Sequence, residues 1–215
     1  MKKISNYELQ CEDWRQRFLK MDVSALIKKL PELRIEGGDL VVSHYARRCG
    51  VELETGLIRD LDAPEKPLSI SERLNIYTLF EYSKPEARLS GSWVPFSELR
   101  DASVFTSAFR RGNMEPFAAA FSGRAAALVR GCKKLGGTRL AMSDVGYELK
   151  AFDCIPVRFL FWDGDDEFPA QANILFDSSA VDFIHVESTV TIASVGVARI
   201  AEEAGCDVGG GFDMI

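Results

Sequence analysis

Apolar side chains near the start of the chain recur every three or four residues, which predicts an amphipathic helix. Ser5 and Glu8 have the spacing of a capping box at the start of this helix. Asp22 is a suitable N-cap for a second, short helix, which Pro31 ends. The apolar stripe of the first helix consists of Tyr7, Cys11, Trp14, Phe18 and Met21.

The pattern changes between residues 33 and 61, where short runs alternate between apolar and polar positions. Gly37-Gly38 and Thr55-Gly56 punctuate these runs, as expected for β-hairpins. A second strand region follows much later in the chain. Residues 155–162 place large side chains on both faces, which is typical of a central strand, and Asp163-Gly164 marks the turn after it.

Further helices are predicted between and after these strand regions. Ser69 and Glu72 repeat the capping-box spacing at the start of a third helix. A long helical stretch later in the chain is interrupted at Gly123. The last helix is predicted to begin with Ser188 as its N-cap and to end at Gly205.

Helices, hairpins, helices, strands and a final helix follow one another, which favours the α+β class over alternating β-α-β units. We expect a single globular domain over residues 1–215, with a small mixed or antiparallel β-sheet packed against several helices. Residues 1–61 supply N-terminal helices and hairpins, residues 69–204 the core, and residues 205–215 a loose tail. The mean hydropathy of −0.04 is typical of globular proteins. The order of the strands is left open.

The net charge of −6 and the isoelectric point near 5.1 argue against a nucleic-acid partner, because such binding needs a basic surface. No apolar run approaches the roughly 20 residues that span a bilayer. Glu8, Glu12 and Asp13 occupy positions where an export signal would need its apolar segment. We therefore expect a cytoplasmic location and no membrane contact.

Familiar catalytic and metal-binding motifs are absent from the sequence. The five cysteines form no C-x-x-C pair, so we expect buried free thiols and no iron–sulfur cluster or zinc ribbon. There is no phosphate-binding loop, G-x-S-x-G or H-E-x-x-H motif. The two histidines, His44 and His185, are too few for a multi-histidine metal site, and we expect them to be structural. No catalytic residue and no metal ligand is assigned.

The densest group of chemically active residues is an acidic stretch that follows the predicted central strand. It holds four carboxylates between two large aromatic side chains: Trp162, Asp163, Asp165, Asp166, Glu167 and Phe168. Crowded carboxylates need water, a cation or a basic partner to stay ionised together. Three interpretations remain open: a solvated hairpin turn, a Mg²⁺ or Ca²⁺ site whose spacing differs from an EF-hand loop, and a site for an organic ligand or partner.

We expect the aromatic side chains Trp162 and Phe168 to be anchored in the fold, because each would bury a large apolar area. The carboxylates between them should face solvent. Asp177, with the two serines after it, and Glu187, with Ser188, have the composition of helix caps. The alternative for this second polar group is an anion held by exposed backbone N–H groups.

The residues from Trp162 onward, W-D-G-D-D-E-F-P-A-Q-A-N-I-L-F-D-S-S, resemble the signature of a family named domain of unknown function 3786. Phe183 and Glu187-Ser188 continue this resemblance. Further blocks that resemble the same family are Gly91–Phe96, Leu135–Gly137 and Ile155–Val157.

The resemblance implies a role in anaerobic bacteria and archaea, where members of that family are mainly found. Some relatives carry an added iron–sulfur domain, whose cysteine clusters this chain lacks. Others are linked to corrinoid or one-carbon metabolism. The resemblance therefore implies a binding or accessory protein for a corrinoid, another tetrapyrrole or a one-carbon enzyme system, and it assigns no catalytic residues.

Three functions remain open at this point. The first is a noncatalytic protein that binds a small organic ligand or a protein partner where the Trp93 block meets the acidic stretch. The second is a metal-dependent hydrolase or lyase that uses the carboxylates of Asp163–Glu167. The third is a structural protein, including a homo-oligomer, in which the acidic stretch is only a turn. The candidate ligand-binding residues are Trp93, Trp162, Asp163, Asp165, Asp166, Glu167, Phe168, Asp177 and Glu187.

Overall fold

The computed structural model describes residues 6–206 of the 215-residue chain. Its α-helices are α1 (Asn6–Phe18), α2 (Val23–Lys29), α3 (Ile70–Tyr82), α4 (Thr106–Phe109), α5 (Glu115–Phe121), α6 (Ala125–Lys134), α7 (Ala180–Phe183) and α8 (Val186–Ala204). Its strands are β1 (Arg34–Glu36), β2 (Asp39–His44), β3 (Arg47–Glu52), β4 (Ile58–Asp60), β5 (Trp93–Pro95), β6 (Thr138–Leu140), β7 (Val145–Phe152), β8 (Ile155–Trp162) and β9 (Gln171–Asp177). A π-helical turn at Arg110–Met114 joins α4 to α5.

The strands form two antiparallel sheets, with the orders β1-β2-β3-β4 and β5-β9-β8-β7-β6. The predicted α+β class is confirmed, and the structure supplies the strand order that the sequence left open. Strand β8 lies at the centre of the five-stranded sheet, as its apolar character on both faces predicted. Its inner face packs Phe159 and Phe161 against Phe117 of α5, while its outer face carries Arg158, Leu160 and Trp162.

Most of the buried apolar side chains form one continuous cluster that draws on both sheets and on the helices around them. Close approach of helices α6 and α8 depends on small residues. At Gly131 of α6, an added Cβ would collide with the carbonyl oxygen of Ile200 in α8. A glycine is required there because helix backbones can meet only where no side chain separates them.

The hairpin turn between β2 and β3 connects the four-stranded sheet to the rest of the molecule. Tyr45 and Ala46 both adopt left-handed backbone conformations, with φ of 46° and 62°, as a two-residue hairpin of this handedness requires. The Tyr45 side chain is fully buried, and its hydroxyl donates to the Ile192 carbonyl of α8 at 2.9 Å. The Tyr45 N–H donates to the Ala151 carbonyl of β7 at 3.1 Å. The turn is thus wedged between the five-stranded sheet and α8.

Ion pairs around Arg47 reinforce this connection. The guanidinium contacts Glu72 of α3 at 2.5 Å, Glu202 of α8 at 2.9 Å and Asp60 of β4 at 3.6 Å. Since the Arg47 side chain is only 15% exposed, these pairs are shielded from solvent more than ordinary surface pairs. The first sheet is therefore fixed to α3 and α8 electrostatically as well as by packing.

Several sequence-based element boundaries are confirmed. Asp22 accepts hydrogen bonds from the backbone of Ser24 and Ala25 at the start of α2, and Ser69 with Glu72 forms the predicted capping box of α3. Positive φ angles at Gly123 (67°) and Gly205 (69°) separate α5 from α6 and end α8. Ser5 of the first capping box and residues 207–215 of the predicted tail lie outside the described residues.

The predicted start of the last helix is wrong. Helix α8 begins at Val186, and its N-cap is His185, whose Nδ1 accepts from the Glu187 N–H at 3.3 Å. The Ser188 N–H donates to the His185 carbonyl oxygen at 2.9 Å, so Ser188 already lies within the first turn of the helix. The Ser188 hydroxyl instead donates to the Thr78 hydroxyl oxygen of α3 at 3.1 Å.

Within residues 6–206, no helix is both long enough and apolar enough to cross a membrane.

Replacing Gly196 with alanine should destabilise the fold, because the added Cβ would lie 2.6 Å from the Tyr45 hydroxyl oxygen and against the Phe159 ring. We expect the free energy of unfolding to fall by about 2 kcal/mol, the scale of overpacking in a filled core. Gly112→Ala is the matched control, since a Cβ at that position meets nothing within 4 Å. Urea denaturation of both variants measures the difference, and equal stabilities would contradict the wedged turn.

Candidate functional site

The acidic loop, residues 163–168, lies between β8 and β9, and hydrogen bonds from backbone N–H groups to its carboxylates stabilise it. The Asp165 carboxylate accepts from the N–H groups of Glu167 and Phe168, each at 2.8 Å, and these bonds lower the pKa of Asp165. Asp163 accepts from the N–H groups of Gly123 and Gly164. Asp165, Asp166 and Glu167 are exposed, as predicted. Two of the four carboxylates thus organise the turn itself.

Metal ligation finds no further support in this loop. Within the described part of the chain, no group of three or more His, Cys, Asp or Glu side chains is arranged to hold a metal ion.

Trp162 and Phe168 are both exposed and not anchored in the fold, so that prediction is wrong. Trp162 is 39% exposed and Phe168 is 63% exposed. Trp162 ends β8 on the outer face of the sheet, the face opposite to Phe161 and the helices. Alternation along a strand forces this placement once Phe159 and Phe161 point inward. Phe168 lies in the loop beyond the strand ends, where it stays exposed.

The structure does not bring Trp93 to the acidic loop. Trp93 pairs with Asp177 at one end of β9, whereas Trp162 pairs with Gln171 at the other end. Six residues of extended strand separate the two positions by about 20 Å. The prediction that the segment around Trp93 meets the acidic loop at one binding site is therefore wrong.

The Trp93 ring has a different neighbour. The guanidinium of Arg158 stacks over it at 3.7 Å, and Arg158 in turn pairs with Glu148 at 2.9 Å. The side chains of Trp93, Arg158 and Glu148 thus form a row across the outer face of the five-stranded sheet, where they cover part of β8.

Asp177, another predicted candidate, is a buried structural centre rather than a helix cap. Its carboxylate accepts from the N–H and hydroxyl of Ser90, the N–H of Gly91, and the N–H and hydroxyl of Ser179. Burial by itself would raise the pKa of Asp177, but the hydrogen bonds from Ser179 and Ser90 outweigh it and lower the pKa to about 2. Asp177 therefore joins the end of β9 to the segment that precedes β5.

Glu187, the remaining candidate, lies beside a pocket of about 170 Å³ between three helices. We call it the aromatic pocket. Its walls come from α1, α3 and the start of α8, and the residues that line it are Tyr7, Gln10, Trp14, Leu74, Thr78, Tyr82, His185, Glu187, Ser188 and Thr191. Four rings and several hydroxyl groups thus converge with one carboxylate on a single cavity.

The rings of the aromatic pocket are inclined to one another. Trp14 and Tyr82 have ring centroids 5.9 Å apart with an interplanar angle of 62°. Tyr82 and His185 follow at 5.2 Å and 43°. The rings that line the cavity therefore lie in different planes, which suits a compact guest better than a flat one.

A chain of polar contacts runs from the aromatic pocket into the core. The Thr191 hydroxyl donates to the Asn75 side-chain oxygen at 2.5 Å, and the Asn75 amide lies 3.4 Å from His44 Nε2. His44 Nδ1 is 2.8 Å from the Ala151 carbonyl oxygen, to which it must donate because that oxygen can only accept. His44 Nε2 consequently accepts from Asn75, and the imidazole is neutral. The pocket floor is thereby connected to the docked β2–β3 turn.

The neutral state of His44 follows from its environment. The imidazole is 1% exposed and stacks on Phe152 at 4.4 Å. Burial lowers its pKa to about 4, although the bond to Ala151 and the charge of Glu72 oppose this effect, while Arg47 and Arg199 add to it. The expectation that His44 is a hydrogen-bonded structural residue agrees with these contacts.

A second, larger cleft of about 480 Å³ lies between α5 and the start of β9. Alanines of α5 and residues 169–172 form much of its lining. Its charged groups, Arg110 and Glu115, pair with each other at 3.3 Å. Because no aromatic side chain is among the described residues that line this cleft and its two charged groups pair with each other, the aromatic pocket is the better candidate for a binding site.

Sequence reasoning missed most of the aromatic pocket. Tyr7 and Trp14 belong to the predicted apolar stripe of α1 and were expected to be core residues. Tyr82 and His185 had no assigned role in binding. A usable pattern exists in hindsight, because Leu74, Thr78 and Tyr82 share one helix face that mixes polar and aromatic groups.

Asp177→Ala should lower the free energy of unfolding by roughly 3 kcal/mol, since it leaves several donors unpaired. Asp166→Ala, in the exposed loop, is the control and should leave it nearly unchanged. The parent protein should have a higher free energy of unfolding than Asp177→Asn, and this difference should shrink as the pH falls from 3.8 toward 2. The reason is that a carboxylate with a lowered pKa stabilises the fold only while it is ionised. Urea denaturation at several pH values tests both statements. Equal loss in the two alanine variants would contradict this role of Asp177.

Burial of neutral His44 should make the fold lose stability in mild acid. The unfolded chain binds a proton near pH 6.5 and the folded chain only near pH 4, so acid favours the unfolded state between these values. The loss attributable to His44 is about 3 kcal/mol across this window. His44→Gln should lack this acid-dependent loss. The difference in free energy of unfolding between the parent protein and His44→Gln should therefore narrow as the pH falls. A constant gap from pH 7 to 4 would contradict the assignment; His185→Gln controls for the other imidazole.

A family model matches residues 22–199, which is well over half of the chain. Neither a curated protein nor a solved structure matches the chain. The matched range includes β5, the acidic loop, Asp177 and most of α8, which are the segments on which the resemblance in the sequence rested. The chain therefore belongs to the family described as a domain of unknown function, DUF3786.

Proposed function

We propose that the chain is a noncatalytic binding protein that takes up a small organic molecule in the aromatic pocket. The observation that carries this proposal is the convergence of ring faces, hydroxyl groups and one carboxylate from three helices on a cavity of about 170 Å³. Ligand sites in proteins typically combine apolar, aromatic walls with a few placed polar groups. The aromatic pocket has that composition.

The support behind the pocket walls favours binding. Thr78 on α3 accepts from Ser188 on α8, and Thr191 on α8 donates to Asn75 on α3. Both contacts fix the two helices relative to each other directly beneath the cavity. Because walls that are already ordered lose little conformational entropy when a ligand enters, this arrangement increases affinity.

The size of the aromatic pocket limits the class of ligand. At about 170 Å³ it lies below the range of roughly 300–1,000 Å³ that is usual for sites of drug-sized ligands. A corrinoid or another tetrapyrrole is larger than that, so the proposal for this pocket is restricted to small molecules. The corrinoid-linked or one-carbon role implied by the family resemblance would then be that of an accessory protein.

A cytoplasmic location is part of the proposal. The cysteines of the described structure, Cys11, Cys49, Cys132, Cys154 and Cys206, are all unpaired. Free thiols are the usual state of cysteine in a reducing compartment.

Trp14 provides a direct test, because it lines the pocket and the other tryptophans do not. In a Trp93→Phe/Trp162→Phe protein, Trp14 is the only tryptophan left. Its fluorescence should change saturably with at least one member of a panel of small cationic, anionic and neutral molecules. Gln10→Phe, at an exposed position lining the pocket, should abolish the response by filling the cavity. Gln16→Phe, exposed on the same helix but outside the pocket, should preserve it.

The same titrations separate the alternative functions. A response to cobalamin or haemin that survives Gln10→Phe would contradict the pocket proposal and favour a tetrapyrrole site elsewhere. A saturable effect of Mg²⁺ or Ca²⁺ that Asp163→Asn removes would favour the metal-dependent hydrolase or lyase. No response to any probe, together with a concentration-dependent mass in light scattering, would favour the structural or oligomeric protein.

A further inference from the structure

We infer that the aromatic pocket selects a compact organic cation, namely an ammonium ion that carries methyl groups. This inference rests on the proposed function, since it names the ligand class of the same pocket. It draws on three independent features of the structure: the geometry of the rings, the charge of the lining, and the engagement of the N–H groups at the start of α8.

The ring geometry favours a rounded, methylated guest. Trp14, Tyr82 and His185 follow one another around the wall with interplanar angles of 62° and 43°. A flat ligand can stack on one of these rings but not on all three. Methyl groups spread around a central nitrogen can contact several inclined ring faces at once, and ring faces attract positive charge.

The charge of the lining also favours a cation. Glu187 contributes a carboxylate, and no lysine or arginine is among the residues that line the pocket within the described chain. Glu187 is exposed and makes no ion pair with another described side chain. The carboxylate is therefore available to a ligand, unlike Asp163 and Asp165, which bond to their own loop and its neighbour.

A positive charge is already stacked on one of these rings. The guanidinium of Arg17, which does not line the pocket, lies 4.5 Å from the Trp14 ring centroid. Indole has the most attractive ring face for cations among the aromatic side chains. The contact with Arg17 shows that attraction at this residue, and it occupies one face of the ring, so that a guest in the pocket can use only the remainder of the Trp14 ring.

The start of α8 does not turn the aromatic pocket into an anion site. Free N–H groups at a helix N-terminus attract anions. Here the Glu187 N–H donates to His185 Nδ1 at 3.3 Å, and the Ser188 N–H donates to the His185 carbonyl oxygen at 2.9 Å. The N–H groups of the pocket-lining residues Glu187 and Ser188 are thus occupied, and the Glu187 carboxylate repels an incoming anion.

A comparison of choline with its uncharged isostere 3,3-dimethylbutan-1-ol separates the effect of ligand charge from that of ligand shape. The two molecules have nearly the same outline, but the central atom is a positively charged nitrogen in choline and a carbon in the isostere. We expect the Trp14-only protein to bind choline about tenfold more tightly than the isostere, from ring–cation and carboxylate attraction combined. Glu187→Gln should weaken choline binding by roughly threefold and leave the isostere unaffected. Unchanged melting temperatures exclude a folding defect as the cause.

The ring contribution has its own matched pair of variants. Tyr82→Leu keeps an apolar side chain but removes the ring face. We expect the affinity for choline to fall about fivefold and the affinity for the isostere to change little. Tyr82→Phe retains the ring and should restore choline binding. Raised salt should weaken choline binding in the parent protein more than in Glu187→Gln, since only the parent has the carboxylate to be screened.

Three outcomes distinguish the inference from the proposal beneath it. Preference for choline that falls in Glu187→Gln and Tyr82→Leu supports both. Equal or tighter binding of the isostere overturns the cation inference but leaves a small-molecule pocket. No binding of choline, of the isostere or of any other small organic probe overturns the proposed function and the inference with it.

Discussion

The docking of the β2–β3 turn against β7 and α8 is the constraint on which the remaining architecture depends. A single carbonyl, that of Ala151, accepts from both the Tyr45 N–H and His44 Nδ1. The Tyr45 hydroxyl reaches the backbone of α8, where Gly196 leaves room for its ring. Two non-glycine residues in left-handed conformations carry a backbone cost of roughly 1 kcal/mol each. The burial of Tyr45 and its hydrogen bonds offset that cost, so the turn is retained by its tertiary contacts.

The same contact supports the floor of the proposed binding pocket. His44 is fixed by Ala151 and stacked on Phe152, and it orients Asn75, which in turn accepts from Thr191 beneath the aromatic pocket. The floor of the pocket is thereby tied to the core, while its rim residues Tyr82 and Glu187 are exposed. A rigid floor with an accessible rim is the arrangement expected of a preorganised binding site. The proposed ligand site is thus a consequence of how the two sheets and α8 are joined.

Carboxylates in this chain differ in function because their surroundings differ. Asp177 is buried among donors and joins two segments of backbone, whereas Asp163 and Asp165 stabilise a solvated loop. Glu187 lies on the first turn of α8 next to aromatic rings and makes no ion pair within residues 6–206. In sequence all of these residues look alike, and the crowded stretch at 163–167 is the most conspicuous. Crowding alone is a poor guide, since neighbouring backbone N–H groups can satisfy such charges locally.

Local signals in the sequence were sufficient for the class of fold, for the caps at Asp22 and Ser69, for the helix ends at Gly123 and Gly205, and for the central position of β8. These features depend on residues close together in the chain, whose propensities and hydrogen bonds act over a few positions. The family resemblance was likewise carried by contiguous residues. Tertiary structure alone decided that Trp93 and Trp162 lie at opposite ends of β9, that Tyr45-Ala46 forms a turn without glycine, and that α1, α3 and α8 enclose a pocket. Each of these depends on contacts between residues far apart in sequence, because a pocket wall is set by which helices pack together and not by the pattern within any one of them.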